Sequence, residues 1–389
     1  MYSGQIVFAQ LMEFLPRHEF SQCVRRYRGD YRARAFSCRD QFLAMAFAQL
    51  TYRESLRDIE TCLRALGPKL YHVGFRGKIS RSTLADANER RDWRIYADFA
   101  HVLIAKARQL HAHDAFGVDL DRTVYAFDST TIDLCLALFP WARFRRRKGA
   151  IKLHTLVDVR GSIPCFVHIF HGKMSDVTAL DHLVLEPGAF YVMDRGYIDF
   201  ARLYRFTQAM AFFIVRGKRG LDYTRKAYHR VDKTTGLRSD QKILLRGPKT
   251  STLYPTELRR VTYVDVETKK RFVFLTNNLS LPALVIAQLY KCRWQVELFF
   301  KWIKQHLRIK AFYGTTANAV KTQVWIAISV YVLVAILQKE LALPRTLYEI
   351  LQILSVTLFE KTPIFEALAS PNCRIEDTTI RNQMMLFDL

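Results

Sequence analysis

Residues 124–131 read Val-Tyr-Ala-Phe-Asp-Ser-Thr-Thr, and the fold turns on them. Four apolar residues, β-branched and aromatic among them, close on Asp128 in the manner of a short buried strand. Upstream of about residue 117 the texture is different. Gln41 to Leu50, Ser55 to Leu66 and Asp92 to Leu110 carry apolar residues three and four apart, the period of helices packed on one face. Gly67-Pro68 breaks one helix, and Thr83 with Asp86 has the form of a capping box that starts another. A helix-turn-helix within Ser55 to Arg91 would need a turn across 67–81, longer than that motif uses.

Downstream, strands continue at Ile151 to Val159, Ile163 to Phe170, Ala189 to Met193 and Ala211 to Val215. Arg160-Gly161-Ser162 forms a hairpin turn between the first two. Helices are predicted over Val177 to Leu185 and Phe200 to Ala209. Strands that pair first in a hairpin and then alternate with helices predict a mixed α/β sheet covered by helices. From 216 to 280 strands at Gln241 to Leu245, Leu258 to Val266 and Arg271 to Leu275 predict a β-rich insertion. Leu281 to Lys310 then reads as one long helix, Val324 to Leu337 as a buried one, and Leu347 to Glu360 as another. The predicted units are a helical N-terminal domain (1–117), a core in two pieces (118–215 and 281–340), the insertion (216–280) and a helical C-terminal segment (341–389).

Lys and Arg total 59 against 36 Asp and Glu, a net charge of +23 on a chain that is half hydrophobic. Such a surplus disfavours an enzyme of small neutral metabolites and points to a polyanion, nucleic acid or an anionic membrane. The membrane is the weaker of the two. Fourteen residues from Val324 to Leu337 make the longest apolar run, where a span needs about 20. The first twenty residues lack the basic region and cleavage site of a signal peptide. Seven cysteines, an odd number with no C-x-x-C pair, predict a reducing cytoplasm without a disulfide framework or structural zinc. Six arginines lie between Arg25 and Arg39 among Tyr27, Tyr31 and Phe36, either a solvated helix face or a contact to DNA phosphates.

A basic protein that cuts DNA needs acids where its surface otherwise favours cations. Two Mg²⁺ ions about 3.5–4 Å apart, held by a few carboxylates, suffice to activate an attacking oxygen and stabilise a leaving one. Asp128 follows one apolar strand and Asp194 another (Tyr191-Val192-Met193-Asp194-Arg195-Gly196-Tyr197). An Asp after a strand is also an ordinary turn or N-cap residue. Further on, Tyr290, Arg293, Glu297, Lys301 and Lys304 follow the helical period and share a stripe, with Val296, Phe299, Phe300, Ile303 and Leu307 on an apolar one. One carboxylate among cations and a tyrosine suits a metal ligand beside phosphates. A surface Glu297–Lys301 ion pair is the plain alternative.

Tyr290-x2-Arg293-x3-Glu297-x6-Lys304 resembles the Y-R-E-K signature of bacterial insertion-sequence transposases of the DDE type. The resemblance extends to Phe127-Asp128-Ser129-Thr130, Phe139-Pro140-Trp141-Ala142, Lys148-Gly149-Ala150-Ile151-Lys152-Leu153-His154 and Met193-Asp194-Arg195-Gly196-Tyr197. It implies a ribonuclease-H-like core interrupted by a β insertion, with Asp128, Asp194 and Glu297 as catalytic residues and ligands of two Mg²⁺ or Mn²⁺ ions. It also implies double-stranded DNA as partner, both terminal inverted repeats and target, and a homodimer that synapses two ends. By the same resemblance Arg293 and Lys304 would grip phosphates, Tyr290 would hydrogen-bond one, and Trp294 would stack on a displaced base or else sit in the core. Lys301, Arg145, Arg147, Lys148, Lys152 and Arg195 complete the expected DNA contacts. His154, at the end of the cationic run from Arg143, reads as a phosphate contact or a satisfied core histidine, and His168, His171 and His182 as structural or surface residues. Gly217, where relatives carry a bulkier residue, would loosen the first bend of the insertion. A metal-dependent nuclease or resolvase on the same core, and a catalytically inactive DNA-binding protein, are the alternatives.

Overall fold

The computed structural model describes residues 4–67, 69–75, 77–145, 148–172, 174–218, 220–306 and 312–369. Ten strands lie in it: β1 (Val124–Leu134), β2 (Arg143–Arg145), β3 (Lys148–Asp158), β4 (Ile163–His171), β5 (Phe190–Met193), β6 (Phe212–Arg216), β7 (Tyr223–His229), β8 (Leu237–Leu245), β9 (Leu258–Val264) and β10 (Arg271–Thr276). All join one sheet, in the order β2-β3-β1-β5-β6-β10-β9-β8-β7, with β4 also paired to β3. β1 runs antiparallel to β3 and β3 to β4, whereas β1, β5 and β6 are parallel. This β4-β3-β1-β5-β6 arrangement is the ribonuclease-H-like core, and it matches the mixed α/β class expected from the sequence.

The strands differ from expectation at β1, β2 and β7. β1 does not stop at Asp128 but continues to Leu134, because β3 pairs with it along its whole length. The three-residue β2 was not foreseen, and neither was β7. The burial of β7 alternates little and most of its residues are exposed, so it has no apolar face to read. The β-rich insertion joins the core sheet, since β10 pairs with β6 and carries β9, β8 and β7 outward. Gly217 does not loosen that junction. Its N–H donates to the Val273 carbonyl at 2.7 Å, and a Cβ there would touch the Val273 side chain at 3.3 Å.

The β3–β4 turn is built on Gly161, at φ +71, where a Cβ would fall 2.4 Å from the ring of His111. Only glycine allows both the left-handed backbone and that approach. His111 ends the helix Arg94–His111, which lies against the 24-residue helix Ala317–Glu340. The apolar run at 324–337 is the middle of that longer helix. Ala317–Glu340 is long and apolar enough to cross a bilayer, but almost all of it is buried against other helices of the fold. Its Tyr331 hydroxyl donates to the Ser162 carbonyl at 2.9 Å, tying it to the β3–β4 turn.

The N-terminal region is helical as expected, with Arg17–Arg26, Cys38–Leu50, Leu56–Leu66, Arg81–Arg90 and Arg94–His111 as its main helices. The cap at 80–83 differs from the expected one. Ser80 supplies the capping oxygen to the Thr83 N–H, so the helix starts a turn before Thr83. Lys69–Val73, in the stretch read as a turn, forms a short helix of its own. This bundle has no core apart from the sheet's. Leu43, Phe47, Ile95 and Leu103 belong to the same buried cluster as Val124, Ile151, Val296 and the whole apolar run of Ala317–Glu340. The two ends of the described chain meet, with the Val7 and Phe8 N–H groups donating to the Glu360 and Leu358 carbonyls at 3.0 and 2.9 Å.

Candidate active site

β1 and β5 are adjacent and parallel, and their last register pair is Phe127 with Met193. The next residue on each strand is therefore Asp128 and Asp194, side by side where the ladder ends. Neighbouring strands lie about 4.8 Å apart, so two carboxylates in this position feel each other's charge. Burial pushes the Asp128 carboxyl above the usual carboxylate range, and the charges of Asp194 and Glu297 push the same way, against the Ser129 N–H and Arg293. The Ser129 N–H donates to Asp128 Oδ1 at 2.8 Å.

Glu297 arrives on the helix Trp294–His306, which packs on β1 and β3 through Val296, Phe299, Phe300 and Ile303, all buried. Leu307, the last residue of the expected apolar stripe, lies outside the described residues. The long helix expected from 281 is two helices, Ala283–Lys291 and Trp294–His306. Across 289–296 the N–H groups of Cys292, Arg293, Gln295 and Val296 bond three residues back, to Leu289, Tyr290, Cys292 and Arg293. That tightening turns the chain inside the signature, with no Pro or Gly to announce it. It leaves Arg293 at the joint, able to reach both ways. Arg293 Nη1 donates to Asp128 Oδ2 at 2.8 Å, and Nη2 lies 2.6 Å from Glu297 Oε1. The expected alternative partner of Glu297, Lys301, is not the one it takes.

Tyr290 is buried on the sheet beside Phe274, and its hydroxyl donates to Asp194 Oδ1 at 3.2 Å. Burial pushes this phenol up to about 12, so it stays a donor. Lys304 donates to the Thr131 carbonyl at 2.9 Å on the far half of β1. The structure thus brings Asp128, Asp194, Tyr290, Arg293, Glu297 and Lys304 to one edge of the sheet. Trp294 is 52 % exposed beside them, which removes its core reading. Arg195 and Lys148 are exposed, and Lys301 is exposed and lines a different cavity, beside Ser162 and Tyr348. Arg147 lies outside the described residues. Arg145 sits on β2, and its side chain is not among those described.

Lys152 is committed elsewhere. Its ammonium donates to the Met174 carbonyl at 3.1 Å and to Asp176 Oδ1 at 3.0 Å. The same carboxylate oxygen accepts from Ser129 Oγ at 3.0 Å, so Asp176 braces the residue next to Asp128. Sequence reading missed Asp176, which lies on a tight turn at Asp176–His182 where an α-helix was expected. His154 is fully buried, which removes its phosphate-contact reading, and it is not a satisfied core histidine either. Neither ring nitrogen has a hydrogen-bond partner, and burial pushes its pKa down to about 4.

The donor set suits a hard divalent cation, since three carboxylates repel one another at a part-buried edge. Among the described residues no three acidic, His or Cys side chains are gathered as a ligand cluster, and the Arg293 guanidinium bridges two of the acids instead.

A model of the transposase DDE domain family matches residues 119–333, the stretch that carries β1, β5 and the broken signature helix. The chain belongs to that family. Residues 3–76 match a second model, described only as a domain of unknown function (DUF4372). This transposase is 31% identical over 286 residues to the putative transposase y4zB of Sinorhizobium fredii, covering 72% of this chain and 78% of that one. It is 30% identical over 207 residues to a probable transposase for insertion sequence element IS5377 of Geobacillus stearothermophilus, covering 53% and 54% of the two chains. Among solved structures, the piggyBac transposase synaptic complex with hairpin DNA aligns with 93% of this chain and 81% of that one at 10% identity. The TM-score of that alignment is 0.43. Family membership makes the chain an enzyme that acts on DNA and depends on a divalent metal ion.

Proposed function

We propose that this transposase binds the terminal inverted repeats of its own insertion sequence, cleaves them to expose 3′-hydroxyls, releases them through hairpin ends, and joins them to target DNA as a homodimer. The observation that carries the reading is the placement of Asp128 and Asp194 side by side at the end of the β1–β5 ladder, with Glu297 linked to Asp128 through Arg293. Asp128, Asp194 and Glu297 would hold two Mg²⁺ or Mn²⁺ ions. Such ions supply a lowered pKa for the attacking water or hydroxyl and charge neutralisation at the phosphate.

The chain's own residues do the rest. Tyr290, kept protonated by burial, fixes the orientation of the Asp194 carboxylate. Ser129, braced by Asp176, fixes Asp128 from its backbone side. Arg293 has a planar fork already aimed into the acids, and a phosphate oxygen offers it the same bidentate geometry. Arg195, next to Asp194, and Lys304, on the Thr131 carbonyl, present cations beside the acids, and exposed Trp294 offers a face on which a displaced base stacks.

The test is cleavage of a duplex bearing the element's inverted repeat in Mg²⁺. Asp128→Asn, Asp194→Asn and Glu297→Gln are each expected to abolish it while leaving DNA binding in EDTA within about twofold. Retained cleavage by any one of the three removes that residue from the catalytic set. Strand transfer of pre-cleaved ends separates a transposase from a nuclease on the same core, because a nuclease yields no joined product.

A further inference from the structure

Along a strand, successive side chains point to opposite faces of the sheet. Asp128 shares its face with Ala126 and Ile132, and Asp194 shares its face with Val192, all three apolar residues being part of the buried cluster that the helices complete. Phe127, Met193 and Tyr197 belong to a second buried cluster, on the rear face. Ser129, the residue after Asp128, points to the rear with them. The two acids therefore stand on one face, and the residues that follow them reach the other.

A polar knot occupies the rear face at that place. Ser129 lies opposite His154 in the β1–β3 register. Ser129 Oγ and the Lys152 ammonium both donate to Asp176 Oδ1 at 3.0 Å, and His154 Nε2 is 3.8 Å from the same oxygen. Lys152 is only 14 % exposed, so its charge needs the Asp176 carboxylate. Tyr197 enters the knot from the β5 side. Its N–H donates to the Asp194 carbonyl at 3.1 Å, its ring lies 5.0 Å from that of Phe127, and its hydroxyl approaches Ser129. That hydroxyl is buried without a completed hydrogen bond, as are both ring nitrogens of His154. An unpaired buried polar group destabilises a fold, and phenylalanine would fill the same space, so the hydroxyl serves something other than packing.

We propose that Tyr197, Ser129 and Asp176 are positioning residues that fix the spacing of Asp128 and Asp194 from the rear of the sheet, and so set how tightly the two acids hold a divalent cation. Asp128 is tied to the knot by the Ser129 N–H on its Oδ1, and Asp194 by the turn that Tyr197 closes. Two carboxylates on neighbouring strands repel each other and a cation draws them together. The tie behind them decides where they stop. Groups that orient metal ligands in this way change metal affinity by about 10–100-fold. The proposal rests on the catalytic reading above for the choice of acids, and it gives Tyr197 and the Asp176–Lys152 pair an effect on metal affinity that the reading leaves out.

Mn²⁺ uptake by the full chain, counted from the paramagnetic resonance signal of the free ion, tests it without cleavage. Tyr197→Phe removes a hydroxyl that completes no bond, so the melting temperature in EDTA holds or rises while Mn²⁺ affinity falls about tenfold. Ser129→Ala lowers the affinity by a similar factor, and Ser129→Thr, which keeps the hydroxyl, stays within about twofold of wild type. Lys152→Met combined with Asp176→Leu removes the ion pair without stranding either charge, and weakens Mn²⁺ about as much as Ser129→Ala. Wild-type affinity in a folded Tyr197→Phe or Ser129→Ala, with uptake lost in Asp128→Asn, overturns this inference and leaves the catalytic reading standing. Uptake that survives Asp128→Asn, or a wild type that takes up no Mn²⁺, overturns the catalytic reading and this inference with it.

Discussion

Arg293 serves two carboxylates at once, and its removal separates electrostatics from chemistry. In Arg293→Ala, Asp128 and Glu297 lose their shared counterion. The metal-free protein is expected to lose about 1–2 kcal/mol, reduced from a fully buried case because Glu297 is half exposed. A divalent ion stabilises the state it binds in proportion to its affinity, so Mn²⁺ should raise the melting temperature more in the variant than in the wild type. An equal rise in both would show that Arg293 does not compete with metal. His154 offers a second test. Burial holds it and His168 near pKa 4, whereas an unfolded histidine stays near 6.5. Below about pH 6.5 the unfolded chain takes up protons that the folded one refuses. Stability is therefore complete above that pH and lost as the pH falls toward 4. Unfolding free energies from urea melts at pH 7 and 5 should differ for the wild type by on the order of 1–2 kcal/mol per histidine, and by less in His154→Leu. At this scale the sequence was informative where a charge interrupts an apolar pattern, as Asp128 and Asp194 do. It was silent on Asp176, whose approach to Ser129 depends on how the chain leaves β4, and on the twofold attachment of Arg293.

The helical period of residues 283–306 was legible, but the turn inside it was not. Local hydrogen bonding at Cys292 to Val296 depends on the helix halves seating on different strands, and the sequence between them is ordinary helix. The insertion strands were legible where they alternate and not at β7, where both faces are wet. One buried ion pair fixes the insertion to the signature. Arg259 on β9 meets Asp240 on β8 at 2.8 Å, both side chains almost wholly buried, and Arg259 also donates to the Leu281 carbonyl just before Ala283–Lys291. Removing one partner strands the other charge. Asp240→Ala is expected to cost about 3–5 kcal/mol by chemical denaturation. Cleavage should fall with it, since Tyr290 rides on the helix Ala283–Lys291 that follows Leu281. A loss below about 1 kcal/mol would mean that water reaches the pair.

Across the whole molecule, the helical and catalytic regions look separate in sequence because composition changes sharply near residue 117. They share one buried cluster all the same, which no local pattern encodes. Unfolding is therefore expected as a single transition, with far-UV circular dichroism and tryptophan fluorescence coinciding. Trp93 and Trp325 report on the helical side and Trp141 and Trp302 on the sheet side. Two resolved transitions would show that the regions fold apart. Gln10 closes the circuit between the two ends of the described residues. It is buried, donates to the Thr362 carbonyl at 2.8 Å, and accepts the Ile364 N–H at 2.8 Å. Gln10→Ala leaves both groups unpaired and should cost about 1–3 kcal/mol, with the loss felt by both spectroscopic probes together.

The helix Ala317–Glu340 lies late in the chain and fills the space between the N-terminal helices and the sheet. A gene copy interrupted anywhere before residue 317 would thus encode helices with no filling for their core. Such a fragment would be cleared as an unfolded chain rather than persist as a DNA-holding competitor of intact copies. Decay of the element by truncation would then leave nothing behind to restrain its surviving relatives.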